Sequence, residues 1–176
     1  MLLSGLVAMP TNAGEPTREE RIKAAIVYKV GKFVDWPESA FAAADAPLRI
    51  CQLGDDPFAA ALFGIAGRVV QGRRVVFQVV VPPLAARTRG CHILYLPRAT
   101  AARVPRVIRE LAGQPVLTIS DIPDFARQGG MIALVRAGDR LGFEIAPAMA
   151  RDAGLRVRAQ LLDLADIVDN DHKGLE

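Results

Sequence analysis

Near the start of the chain, apolar residues recur at the three-to-four-residue spacing of an amphipathic helix. The segment opens with a capping box, Thr17 to Glu20, in which two side chains satisfy free amides at the helix start. Pro37 disfavours the helical conformation at the residue before it and ends the segment. We predict a helix between these limits, and its core-facing stripe consists of Ile22, Ala25, Ile26, Val30 and Phe33.

Short apolar runs then alternate with helical segments along the chain. The predicted strands are 48–53, 73–81, 91–96 and 116–119, followed by a hairpin of 131–135 and 141–145. The predicted helices are 57–67, 98–111 with a break at Pro105, 123–128 and 148–153, while 155–168 begins like a strand and continues like a helix. This alternation predicts a three-layer α/β/α domain with a mixed, mainly parallel sheet.

The composition is that of a folded chain of ordinary domain size. Of 176 residues, 51% are apolar and 23% are charged, so burial can offset the entropy of ordering the chain. No linker interrupts residues 17–168, where we expect a single domain, followed by a polar, frayed tail at 169–176. No run reaches the roughly 18–20 apolar residues that span a bilayer.

The first fourteen residues have several properties of a secretory signal. Met1 to Gly14 carries no charge, Leu2 to Met9 is mostly apolar, and Thr11 to Ala13 offers small residues for cleavage. The basic residues that normally precede the apolar stretch are missing. We expect the end of a truncated signal segment here, and the alternative is an apolar terminus with no role in export.

The charge balance argues against a nucleic-acid partner. The formal net charge is only +3, and aromatic residues make up 6% of the chain. The tightest basic cluster is Arg68, Arg73 and Arg74, without the interleaved aromatic residues of nucleic-acid-binding surfaces.

Sequence motifs for catalysis are absent. The chain has no glycine-rich nucleotide-binding loop, zinc-protease motif or serine-hydrolase motif. Asp55 and Asp56 could hold Mg²⁺, but Asp56 directly before Pro57 is better explained as a helix cap. We therefore predict no enzymatic activity, no cofactor and no metal site.

The two cysteines leave more than one possibility open. Cys51 and Cys91 would oxidise in an exported protein and remain buried thiols in the cytosol. A nucleophilic pair of Cys51 with His92 is the weaker alternative, because nothing local arranges it.

Two groups of residues are candidates for binding. The first helix offers a partner or dimer surface, although an apolar helical stripe is more often core; its candidates are Tyr28, Phe33 and Trp36. Arginines near predicted strand ends offer a site for an anionic ligand, although exposed arginines are usually only solvated; these are Arg73, Arg74 and Arg140.

A set of short segments occurs in a specific order over residues 20–168. They are Lys23–Tyr28, Lys32–Pro37, Ile50–Phe58, Arg89–Leu96, Val116–Asp121, Phe125 with Gly129–Ile132, and Phe143–Ile145. Each segment is weak evidence alone, but in this order they resemble the YfiR-like family. The resemblance implies a periplasmic α/β protein without catalytic activity.

The resemblance also implies a regulatory function. YfiR-like proteins are typically homodimers that bind the periplasmic sensor portion of an inner-membrane diguanylate cyclase and keep its cyclic di-GMP output low. An outer-membrane lipoprotein can draw them away from the cyclase. The alternative that remains is a periplasmic small-molecule-binding domain with no cyclase partner.

Two details of the chain are interpreted through the resemblance. Cys51 and Cys91 occupy positions where the family carries a disulfide, whereas a second pair found in some members is absent. The family's Asn after Phe-Glu-Ile is replaced by Ala146, followed by Pro147, so a contact made by that Asn does not carry over.

Overall fold

The computed structural model describes residues 14–81 and 90–169. The signal segment predicted for residues 1–14 lies outside this part of the chain except for its last residue. The predicted tail, 169–176, is likewise described only at its first residue.

Helices and strands alternate along the described residues, as the sequence pattern predicts. The helices are α1 (Arg18–Gly31), α2 (Phe58–Phe63), α3 (Val104–Glu110), α4 (Pro147–Asp152) and α5 (Ala159–Leu162). The first five strands are β1 (Val34–Asp35), β2 (Leu48–Leu53), β3 (Val69–Val70), β4 (Arg73–Val80) and β5 (Ile93–Leu96). The others are β6 (Leu117–Ser120), β7 (Ile132–Ala137), β8 (Arg140–Ile145), β9 (Arg156–Val157) and β10 (Asp166–Ile167).

Eight of these strands form one mixed, mostly parallel sheet. Within the described residues, their order is β10-β8-β7-β6-β5-β2-β4-β3. Strands β4, β2, β5, β6 and β7 run parallel to one another, while β3 and β8 are antiparallel to their neighbours β4 and β7. The predicted α/β class with a mixed, mainly parallel sheet is confirmed.

The two faces of the sheet are covered by two apolar clusters. Along β2, Leu48 and Ile50 pack in the cluster that includes α1, whereas Cys51 and Leu53 pack in the cluster that includes α3. Because side chains alternate across a strand, a strand buried on both faces has a nearly continuous apolar sequence. This explains why β5 is a run of apolar residues and why the mostly apolar β2, in which Arg49 and Gln52 are the polar residues, does not alternate.

The first helix is shorter than predicted, and its buried face is rotated from the predicted stripe. The chain leaves the helix at Gly31, and Val34–Asp35 instead pairs with β9 as β1. The buried residues of α1 are Ala24, Val27, Val30 and Gly31, whereas Ile22 is 43% exposed. The sequence could not show this rotation because α1 has apolar residues on more than one face.

The remaining differences from the predicted elements concern weak or short patterns. Residues 98–103 form a 3₁₀ helix, and α3 begins at Val104 with Pro105 in its first turn, as the break at this proline predicts. The predicted helix at 123–128 is a series of turns. The end of the ambiguous 155–168 segment adds a strand, β10, beside β8.

In residues 14–81 and 90–169, no helix combines the length and the apolar character needed to cross a bilayer.

Candidate functional site

The order of the parallel strands creates a crevice at their carboxyl ends. From β2 the chain moves outward to β4 and then returns to the other side of β2 as β5. The connections after β2 and β5 therefore lead in opposite directions, which opens a space between them. In open α/β sheets, ligands bind at such a topological switch point.

A polar cleft lies at this switch point. Its cavity measures about 150 Å³ and is lined by residues from α1 and from the ends of β2, β5 and β6. We call it the switch-point cleft and define it by its chemistry-bearing residues, Lys23, Asp56, Tyr95, Arg98 and Asp121.

Asp121, the residue directly after β6, is the centre of the cleft. Its Oδ2 atom accepts hydrogen bonds from Lys23 Nζ at 2.8 Å and from Arg98 Nε at 3.2 Å. Its Oδ1 atom accepts one from the Tyr95 hydroxyl at 3.0 Å. The Asp121 side chain is only 10% exposed and that of Lys23 only 13%. One carboxylate therefore joins α1, β5 and β6 through charge-assisted hydrogen bonds.

The surrounding charges decide the ionisation of this cluster. Burial alone would raise the pKa of Asp121, but the hydrogen bond and charge of Lys23 hold the pKa below its ordinary value. Burial would likewise lower the pKa of Lys23, and its bonds to Asp121 and Glu19 raise that pKa instead. The pKa of Tyr95 is raised, first by burial and then by the Asp121 charge. At neutral pH the cluster is an ion pair with a neutral phenol.

A second carboxylate extends the cluster along α1. Glu19 Oε1 lies 3.0 Å from Lys23 Nζ, and Glu19 also pairs with Arg136 of β7. The pKa of Glu19 is lowered, chiefly by the hydrogen bond and charge of Lys23. The amino-terminal half of α1 is thus held over the carboxyl end of the sheet by ion pairs.

A buried glutamine shapes the loop after β2. Gln52 is fully buried, and its Nε2 donates to the carbonyl oxygens of Gly54 at 3.2 Å and Asp56 at 3.1 Å. Its Oε1 has no hydrogen-bond partner among the described residues. Buried polar atoms are rarely left unpaired. The Oε1 atom of Gln52 is therefore free to accept a hydrogen bond at the switch point.

Sequence reasoning missed most of this cleft. It identified Asp56. Asp121, which follows Ser120 and precedes Pro123 by two positions, has the sequence pattern of a turn or helix cap, but no helix follows it. Two signals were available: a glutamine inside the mostly apolar strand β2, and an aspartate directly after the parallel strand β6. Neither reveals that Lys23 of α1 reaches the same place, because that depends on how the helix lies on the sheet.

A magnesium site at Asp55 and Asp56 is the less favoured interpretation of this part of the sequence. Asp56 Oδ1 accepts the amide of Phe58 at 3.0 Å, which is the predicted helix-start role, although the helix itself begins at Phe58. Asp55 is exposed beside it. In the described part of the chain, no three His, Cys, Asp or Glu side chains gather as a metal site would require.

The predicted partner residues of the first helix all make contacts within the chain. The Tyr28 hydroxyl donates to the Val69 carbonyl at 3.0 Å, and Lys32 lies 4.7 Å above its ring. Trp36 Nε1 donates to the carbonyl of His92 at 3.1 Å. Phe33 is half-buried and packs against the core. Since Phe33 and Trp36 follow α1, the three residues do not form one helical stripe.

The three predicted anion-binding arginines do not lie together. Arg73 and Arg74 begin β4, whereas Arg140 begins β8, which starts beyond the carboxyl ends of the parallel strands and close to the opposite edge of the sheet. Arg73 also donates to the Ala46 carbonyl at 2.7 Å and stacks over the ring of Phe41 at 3.6 Å. A single anion cannot contact all three arginines.

The cysteines form a disulfide. Cys51 and Cys91 are bonded, with their Cα atoms 5.9 Å apart, which leaves no thiol for a nucleophilic pair with His92. Both cysteines are buried. Disulfides of this kind persist in oxidising compartments.

His92 has a structural role beside the disulfide. Its Nδ1 accepts the amide of Arg49 at 3.0 Å, so the ring proton is on Nε2, which lies 3.2 Å from the Ala40 carbonyl. The ring stacks on Phe41 with centroids 4.3 Å apart. Burial lowers the pKa of His92 to about 4, so the imidazole is neutral at physiological pH.

Comparison with known protein families connects these features. The model of the YfiR/HmsC-like family matches residues 20–166, which include α1 from its third residue, the disulfide, the switch-point cleft and the whole main sheet except the last residue of β10. This family consists of periplasmic regulators of diguanylate cyclase signalling. The match covers far more than half of the chain, and the chain belongs to the YfiR/HmsC-like family.

Proposed function

We propose that this protein is a periplasmic negative regulator that binds the sensor portion of an inner-membrane diguanylate cyclase and lowers cyclic di-GMP signalling. The family match over residues 20–166 carries this proposal. The Cys51–Cys91 disulfide supports a periplasmic location, because such bonds are rare in reducing compartments. The protein acts by binding and catalyses no reaction.

The mechanism is a shift between two states of the cyclase. A regulator that binds the inactive arrangement more tightly increases its population, by no more than the difference between the two affinities. Release by an outer-membrane lipoprotein that competes for the regulator returns the cyclase to its active arrangement. In this scheme the regulator functions as a homodimer.

The partner surface includes the end of α1 and the neighbouring β3. Three half-buried aromatic residues contribute to this surface: Tyr28, Phe33 and Trp36. Val69, whose carbonyl accepts the hydrogen bond from the Tyr28 hydroxyl, is 56% exposed. A partner would contact Val69 and the exposed parts of these aromatic rings. Aromatic side chains with an apolar body and one satisfied polar atom are frequent in such interfaces.

Intracellular cyclic di-GMP in a strain lacking the gene tests the function. We expect a rise on deletion and a return to the parental level with an exported copy of the chain. No rise under several growth conditions would overturn the regulatory proposal.

The same strain tests the surface. Val69→Asp should abolish repression without unfolding the protein, because the side chain is already exposed. Leu164→Asp is the matched control, since Leu164 is 72% exposed near the opposite edge of the sheet and should leave repression intact. Equal repression by both folded variants would show that the partner binds a surface that does not include Val69. Light scattering on the purified chain tests the dimer.

A second candidate function is a small-molecule-binding domain without a cyclase partner. The observation that favours it is the switch-point cleft, with the exposed Arg98 and the unpaired Gln52 amide oxygen close to the place where α/β sheets bind ligands. A ligand that binds the native state raises the melting temperature with concentration. Such stabilisation, lost in Arg98→Ala, combined with unchanged cyclic di-GMP on deletion, would favour this function over the first.

A further inference from the structure

A larger cavity lies away from the switch-point cleft. It measures about 680 Å³, is open to solvent on one side, and is lined by the carboxyl end of α3, the 127–131 loop, α4 and the strand β6. It shares no lining residue with the switch-point cleft and sits near the amino ends of β6 and β7 rather than their carboxyl ends. We call it the α3–α4 cavity. Its volume is in the range of pockets that hold small organic molecules.

The walls of the α3–α4 cavity are mostly apolar. They are formed by Ile108, Leu111, Ala112, Met131, Met149 and Ala153. The two methionines are flexible and polarisable, so they adapt to the shape of an apolar group and contact aromatic rings favourably. These walls favour a ligand with an apolar body.

One buried hydroxyl lies in the same cavity. Thr118 of β6 is 1% exposed, and its Oγ1 accepts the amide of Met131 at 3.0 Å. The hydroxyl hydrogen has no acceptor among the described residues. A buried donor without an acceptor is costly, so the cavity provides a hydrogen bond for an acceptor atom on a ligand.

The rim of the cavity carries negative charge. Asp152 at the end of α4 and Asp169 after β10 line the cavity, and neither forms an ion pair with another described residue. Arg127 also lines the rim, but its guanidinium is 3.9 Å from both Asp124 and Glu144. The charge of Arg127 is therefore balanced by Asp124 and Glu144, whereas Asp152 and Asp169 have no cationic partner among the described residues.

We propose that the α3–α4 cavity binds a small organic cation with an apolar body. The ammonium group lies at the rim beside Asp152 and Asp169, and the apolar body fills the space between the two methionines. An anionic ligand would meet two exposed carboxylates without a cationic partner, and a neutral one would form no ion pair with either of them. Charge and shape together select the cation.

Matched naphthalene probes test this site on the full-length protein. The cationic probe is 1-naphthylmethylamine, the anionic probe is 1-naphthaleneacetate and the neutral probe is 1-naphthalenemethanol, with binding followed by naphthyl fluorescence and by calorimetry. We expect the cation to bind about tenfold more tightly than the anion, the difference that an ion pair at a partly exposed rim produces. Equal affinity for the three probes, or no binding of the cation at millimolar concentration, would overturn the proposal.

Charge-neutral variants locate the probe. Asp152→Asn with Asp169→Asn should weaken the cationic probe about tenfold and leave the neutral probe unchanged. The control pair Asp45→Asn with Asp139→Asn removes two exposed carboxylates away from the cavity and should change neither affinity. Met149→Trp fills the cavity and should exclude all three probes from a folded protein. Unchanged affinity of the cation in either cavity variant would contradict the site.

Discussion

The Nζ atom of Lys23 lies 2.8 Å from Oδ2 of Asp121, so an ion pair joins the first helix to the end of β6 across 98 positions of the sequence. Both side chains are nearly buried. Removing one partner would leave the other charge partly desolvated, and such a loss costs more than the pair contributes. The pair therefore fixes the position of α1 over the switch point.

Asp121→Ala should destabilise the protein by about 2–3 kcal/mol, because Lys23 and the Tyr95 hydroxyl both lose a charged acceptor. The free energy of unfolding in urea measures this loss. Arg106→Ala is the control: it breaks the exposed Arg106–Glu110 pair and should cost at most about 1 kcal/mol. Similar losses in the two variants would show that the Asp121 cluster contributes no more than a surface pair.

Stability should fall as the pH is lowered from 7 to 5, because His92 is neutral in the folded protein. Its pKa is about 4 when folded and about 6.5 when unfolded, so in this window the unfolded state binds a proton that the native state does not. We expect a loss of about 1–2 kcal/mol at pH 5.

The variant His92→Gln isolates this effect. Glutamine does not titrate, so its free energy of unfolding should be nearly constant between pH 7 and pH 5, although lower than that of the native protein. The carboxylates with lowered pKa values, Asp121 and Glu19, lose their contribution only at lower pH. An unchanged slope in the variant would exclude His92 as the cause.

Reduction of the disulfide should destabilise the protein by about 4 kcal/mol in the chain-entropy account, because Cys51 and Cys91 are 40 positions apart. Denaturant unfolding with and without reductant measures the difference, and Cys51→Ala with Cys91→Ala should abolish the response to reductant. Intact mass after alkylation of the unfolded, unreduced chain should show no modified cysteine. Two modified cysteines in protein from the periplasm would contradict the bridge.

Gly130→Ala should destabilise the protein by about 2–3 kcal/mol through overpacking. A Cβ atom at this position would lie 2.2–2.6 Å from ring atoms of Phe125, which is fully buried. Gly142→Ala is the matched control, since its nearest neighbour would be a Val135 methyl group at 3.9 Å. Thermal unfolding of both variants provides the comparison. Tolerance of Gly130→Ala would mean that the Phe125 ring can move.

The adjacent glycines Gly129 and Gly130 have different roles in the structure. Gly129-Gly130 could end a helix or admit a ligand on sequence grounds. The structure gives Gly130 a packing role beneath Phe125, while Gly129 has a φ of +94° and lines the α3–α4 cavity. Sequence neighbours can thus serve different purposes, because each faces a different part of the structure.

Much of the local structure was predictable because its causes are local. The capping box at Thr17 and Glu20 is present, and the strand at Leu48–Leu53 matches its predicted limits. A capping box and an apolar run can both be identified from residues that are neighbours in the sequence. The α/β class follows from the alternation of such elements along the chain.

The candidate sites were less predictable because they combine residues from distant elements. The switch-point cleft needs Lys23 of α1 and Asp121 after β6, and the α3–α4 cavity needs Thr118, Met149 and Asp169. In the sequence alone, Asp121 has the pattern of a turn residue and Lys23 that of a solvated charge. In the folded protein, the packing of α1 on the sheet brings the Lys23 and Asp121 side chains together away from water.

By itself, then, the sequence determined the element types, the class of sheet and, through its ordered segments, the family. Tertiary structure alone decided the strand order, the rotation of α1, the wide separation of Arg73 and Arg140, and the contact of Trp36 with His92. The physical reason is that helix and strand patterns arise from neighbouring residues, whereas strand order and side-chain burial arise from contacts between residues far apart in the chain.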